Sequence, residues 1–134
     1  MWVCPDCNQL VPEPMNGKRC PNGHGLFDRR IFGSTQEQSF GRAFVNTLIT
    51  CVIVFAVAAT LSALLTATPA TTISGIALFA FAYFAVSAFL RGRHWNTQGG
   101  PVTKLVPRAN GMAAGYLAAA ACLLIVVVIA NTLR

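Results

Sequence analysis

The residues best equipped for chemistry are gathered at the N-terminus, where Cys4-Pro5-Asp6-Cys7 is followed twelve residues later by Cys20-Pro21-Asn22-Gly23-His24. Two short turns, each beginning with a Cys-Pro pair, have the spacing of a zinc ribbon. Three thiolates from Cys4, Cys7 and Cys20 and one imidazole from His24 fill the tetrahedron that zinc prefers and leave no position for water. The chemistry implied is therefore structural metal binding, not catalysis. Pro5 and Pro21, with Gly23 and Gly25 around the histidine, suit backbone that turns tightly about an ion. Disulfides are the competing use of these cysteines, but they would leave His24 without a role and require an oxidising compartment.

A module this small cannot bury a sizeable core, so most of its folding free energy is expected to come from the metal. Trp2, Val3, Leu10, Leu26 and Phe27 are available to pack around it. Cys51 and Cys122 lie far along the chain in apolar surroundings, where a thiol serves as a small packing residue. His94, beside Trp95, is expected to meet solvent or headgroups rather than metal.

The elements that must position this module are apolar. The 134 residues are 54% hydrophobic and only 10% charged, whereas a soluble domain carries about a quarter charged residues. No Asp, Glu, Lys or Arg occurs from Ala43 to Leu90, nor from Ala109 to Leu133. The fold class expected is an all-α membrane protein, three transmembrane helices preceded by a small zinc ribbon. The boundaries read are a ribbon over 1–32, a juxtamembrane segment over 33–43, and spans at about 44–66, 72–90 and 112–133.

Ser34-Thr35-Gln36-Glu37 has the form of a capping box, so the 33–43 segment reads as a short interfacial helix, with a polar linker as the alternative. Ala67 to Ala70 is too short and uncharged for anything but a hairpin, so span two returns antiparallel to span one. The aromatic series Phe79, Phe81, Tyr83, Phe84 and Phe89 reads as lipid-facing and packing residues. Residues 91–110 read as a basic loop broken by Gly99-Gly100-Pro101 and Pro107, with Trp95 at the interface and Asn110 placed to cap span three. The polar N-terminus argues against a cleaved signal peptide.

Charge sets the expected orientation. The net charge is +6, yet residues 1–43 hold five bases against four acids, which argues against nucleic acid as a partner. The excess falls on Arg91, Arg93, Lys104 and Arg108 between spans two and three. By the positive-inside bias, the ribbon and that loop are expected in the cytoplasm and the hairpin and C-terminus outside, in a bacterial inner membrane.

In span three, Gly111, Gly115 and Ala119 repeat at four-residue spacing and permit close helix approach. Ala56, Ala59 and Ala63 in span one form a series that could receive that stripe, within the chain or from another subunit. No span carries an ionisable relay, and no nucleophile with a base, paired carboxylates or phosphate loop stands elsewhere. The function read from this is a non-enzymatic adaptor or accessory subunit of a membrane complex. A membrane immunity or exclusion protein that neutralises a toxin or invading element is an alternative.

The first third also resembles the paraquat-inducible protein A family. The likeness is carried by Cys4-Pro5-Asp6-Cys7, Leu10, Pro12, Gly17, Cys20-Pro21, Leu26, Arg29-Arg30 and Ser39-Phe40-Gly41-Arg42-Ala43. It implies an inner-membrane protein with a cytoplasmic zinc ribbon, Cys4, Cys7 and Cys20 among its ligands, and an accessory role in envelope lipid transport. The family's ribbon usually ends Cys-Pro-x-Cys, whereas Gly23 stands here with His24 one place on, and its membrane unit has more spans.

Overall fold

The computed structural model describes residues 2–11, 19–24, 27–28, 33–34, 36–65 and 69–133. Gly25, Leu26 and, of the 67–71 hairpin, Ala67 and Thr68 lie outside the described residues. The chain opens with β1 (Trp2–Cys4) paired antiparallel to β2 (Gln9–Val11), then β3 (Phe27–Asp28) paired to β4 (Gly33–Ser34). Three helices follow: α1 (Phe40–Leu65), α2 (Ala70–Gln98) and α3 (Val106–Thr132), with a 3-10 helix (Gly100–Leu105) leading into α3.

At 1.5 Å per residue the helices run about 39 to 44 Å, so each exceeds a hydrocarbon core of about 30 Å. All three are long and apolar enough to cross a membrane. Their outer surfaces carry side chains such as Ile49, Val52, Ile76, Phe79, Leu117 and Ile125, each more than half exposed.

The helices begin and end elsewhere than their sequence signals suggest. Gly33 and Ser34 are extended, and Gln36 makes an antiparallel bridge to Trp2, so the expected capping box does not open a helix. Ser39 caps α1 instead, its Oγ accepting from Arg42 N–H at 3.4 Å. Residues 91–110 are not a loop. The break is compressed into Gly99 and Gly100, whose φ values of 66° and 71° suit glycine. Pro101 and Pro107 fall in the first helical positions that follow, where a missing N–H costs nothing. Asn110 lies inside α3 and caps nothing, since Leu105 occupies the N-cap.

α3 is the centre of the bundle: it packs along both α1 and α2, which touch each other little. A Cβ on Gly111 would strike Phe40 O and come within 2.9 Å of Ala43 Cβ, and one on Gly115 would come within 2.8 Å of Thr47 Cβ. Ala119 meets Cys51 in the next layer, with Phe81 and Leu123. Positions therefore rise together, so α1 and α3 run parallel. The small-residue stripe of α3 is used within the chain, but it meets the Ala43–Thr47–Cys51 face and not the Ala56–Ala59–Ala63 series. α2 runs antiparallel, with Gly92 at Ala109 and Asn110 and the Phe84 ring 5.5 Å from Tyr116.

Between α1 and α2, over α3, lies a cleft of about 300 Å³ edged by Thr47, Thr50, Phe81, Arg108 and Tyr116. The starts of α1 and α3 and the end of α2 share one end of the bundle, where the N-terminal module sits.

Candidate metal centre

Alternation along β1 separates two jobs. Trp2 and Cys4 face one side, where Cys4 joins Val11 and Cys20 in a buried cluster with Trp2 and Cys7 against it. Val3 faces the other way and is fully buried with Val102 and Leu105, with Trp95 packed against them. One short strand thus holds a candidate metal ligand on one face and an anchor to the helices on the other. Leu10, across from Val3, is 42% exposed, so it is not the core residue its type suggests.

Pro5 to Asn8 turn the chain between the strands and present Cys7. The second turn closes on itself: Gly23 N–H donates to Cys20 O and Cys20 N–H donates to His24 O, both at 2.9 Å. Gly23 has a φ of 82°, which a side chain would resist. That closure brings the His24 ring back over Cys20.

The four expected ligands converge, with all donor atoms within 4.8 Å of one another. Bonds of about 2.3 Å to sulfur and about 2.0–2.1 Å to nitrogen require tetrahedral edges of about 3.8 Å between sulfurs and about 3.6 Å between sulfur and nitrogen. Cys7 and Cys20 Sγ stand 3.9 Å apart, and His24 Nδ1 stands 3.6 Å from Cys20 Sγ and 4.0 Å from Cys4 Sγ. The edge from His24 Nδ1 to Cys7 Sγ, at 2.9 Å, is shorter than the tetrahedral one. The Cys3His cluster can hold a metal ion, and its donor set and three of these four edges are consistent with zinc.

The thiols differ in readiness to ionise. Burial pushes Cys4 up to about 11, against the backbone N–H groups of Cys7 and Asp6, which favour its thiolate. Burial opposes the thiolate at Cys20 too, but hydrogen bonds from the backbones of His24 and Asn22 and the thiols of Cys4 and Cys7 together bring it down to about 7. Of these two, Cys20 is therefore the sulfur more ready to meet a cation at neutral pH.

All five cysteines are free thiols. Cys51 packs between helices and Cys122 is exposed on α3, both away from the cluster. His94 is exposed on the penultimate turn of α2 and takes no part. Two residues that ligand spacing does not reveal support the site. Asn22 donates its amide to Cys7 Sγ at 3.3 Å, and Asn8 ties the first turn to the helices. A Pro-Asn-Gly turn signals Asn22 as a turn residue, but nothing in the sequence names the partner of Asn8. No family model, curated protein or solved structure matches the chain.

Proposed function

We propose that this chain is a multi-pass membrane protein with a structural zinc ribbon on the cytoplasmic face, acting as a non-enzymatic adaptor or accessory subunit of a larger membrane assembly. The convergence of Cys4, Cys7, Cys20 and His24 at one end of the bundle carries the reading. Those residues would hold the ion with no open position. It would supply a crosslink, with an apparent binding free energy on the order of 10 kcal/mol.

The belt of exposed Ile, Val, Leu and Phe on all three helices supports embedding in lipid, because soluble monomers rarely expose contiguous apolar patches above a few hundred Å². Arg91, Arg93, Lys104 and Arg108 lie at the module end, and the positive-inside bias assigns that end to the cytoplasm. With the spans given to packing and the metal site closed, contacts are what the molecule has to offer.

Metal analysis of the purified chain is expected to find one zinc, lost in Cys20→Ser. A reporter active only outside the cytoplasm should work when fused at Pro69 and fail at Gly100. A stoichiometric membrane partner should copurify in mild detergent and be lost from Cys20→Ser. A metal-free intact protein, the reverse reporter pattern, or a lone monomer would each refute the corresponding part.

A second reading, an accessory part in envelope lipid transport, draws on the cleft between α1 and α2, apolar along Val54 and Phe81 with polar Gln38 and Arg108 also on its walls. Lipid copurifying in a defined ratio would favour it.

A further inference from the structure

Asn8 stands between the metal cluster and the membrane helices. It directly follows Cys7 and holds a φ of 52°, a left-handed conformation that asparagine tolerates better than most residues. Its side chain spans to the elbow between α2 and α3 with both of its polar atoms. The amide N–H donates to Gly99 O at 3.0 Å, and Oδ1 accepts from Val102 N–H at 2.8 Å.

The elbow is shaped to receive it. Gly99 and Gly100 take the positive φ values that let the backbone turn, and a Cβ on Gly100 would come within 2.9 Å of Asn8 Nδ2. Two further ties surround the same point. Val3 is buried against Val102 and Leu105, and Arg108 Nη1 donates at 2.8 Å to the carbonyl of Gln36, which bridges to Trp2.

We propose that metal occupancy of the Cys4–Cys7–Cys20–His24 cluster sets the conformation of the α2–α3 elbow through Asn8, so that the ribbon is a metal-dependent clamp on the bundle. The inference rests on the zinc reading above. Cys4 leads into the turn that ends at Asn8 and Cys7 lies within it, so an ion bound to both fixes the position of that carboxamide. Without the ion, the module has too little core to hold the turn. The two hydrogen bonds then lose their partner, and Gly99–Val102 is free to open. The last turns of α2, with Arg91, Arg93, His94 and Trp95, end at this elbow, so the surface they present depends on the metal state.

Backbone hydrogen exchange on the full chain in detergent micelles tests this, with zinc counted by metal analysis on each sample. Stripping the zinc-loaded protein with a chelator is expected to speed exchange over residues 99–105, Val102 included, by roughly tenfold or more, the scale of losing two hydrogen bonds. The hairpin-end half of α2 should not respond, and adding Zn²⁺ alone should restore protection. Asn8→Gly accepts the left-handed backbone without strain and removes the side chain that carries the carboxamide. It should still hold one zinc, with an elbow that exchanges fast whether loaded or stripped. Should Asn8→Gly lose the metal, Gly100→Ala serves instead; it crowds Asn8 and also strains its own backbone at a φ of 71°, so its readout is whether elbow protection still depends on zinc.

An elbow indifferent to chelation in a chain that held one zinc overturns the coupling while leaving the metal reading intact. Zinc-dependent protection that persists in a zinc-loaded Asn8→Gly or Gly100→Ala removes Asn8 as its carrier. A wild-type chain that binds no zinc refutes the metal reading itself.

Discussion

Gly111→Ala should loosen the seam between α1 and α3, and its size can be worked from the contact. The new Cβ would fall on the Phe40 carbonyl oxygen and 2.9 Å from Ala43 Cβ, where carbon atoms prefer about 3.5–4.0 Å. Neither neighbour can rotate away, one being backbone and the other a bare methyl. The helices must part by a few tenths of an ångström or more, and overpacking of this kind costs about 1–3 kcal/mol. Alanine returns about 1 kcal/mol of helix propensity, so the net loss is about 0–2 kcal/mol, and the gap to a glycine with open space around it is about 1–3 kcal/mol. Gly75→Ala is the control, because its Cβ meets nothing within 4 Å and should be neutral or stabilising by up to about 1 kcal/mol. Unfolding midpoints in mixed micelles would rank the two. Ala43→Gly placed with Gly111→Ala removes one of the two clashes, and a double-mutant cycle should show coupling of about 1 kcal/mol. If Gly111→Ala matched Gly75→Ala to within about 0.5 kcal/mol, the scatter of ordinary surface changes, the close approach of α1 and α3 would be refuted.

Three further outcomes follow from the site. Gly23→Ala places a side chain at a φ of 82° with no steric neighbour, so it should weaken zinc retention against a competing chelator by about 1–2 kcal/mol, from backbone strain alone. His24→Cys should keep one zinc per chain as a four-thiolate site while His24→Ala loses affinity, and His94→Ala should change neither, all read by metal analysis. Val3→Ala empties a fully buried position between module and elbow and should cost about 2 kcal/mol, seen as faster proteolysis of the module, whereas Leu10→Ala, at an exposed site, should cost little.

The Cys/His cluster was legible because its information is local. Donor type and count are read directly from Cys4, Cys7, Cys20 and His24, and a short turn brings each pair of donor atoms together whatever the rest of the chain does. The three apolar runs were legible for a similar reason, since crossing a bilayer demands only length and the absence of charge, both one-dimensional properties.

What tertiary structure alone decided lies wherever a residue's role depends on a distant partner or on one of two local options. Pro101 and Pro107 read as breakers, but proline also suits the first turn of a helix, and only the packing of α2 on α3 selects that use. Gly111 and Gly115 announce a close approach without naming the face they meet, which the parallel setting of α1 and α3 fixes at Ala43, Thr47 and Cys51. Asn8 and Val3 become joints to Gly99, Val102 and Leu105 across more than ninety positions of chain. No local pattern encodes such a contact. It exists because the cysteine turn and the α2–α3 elbow are folded onto the same end of the bundle.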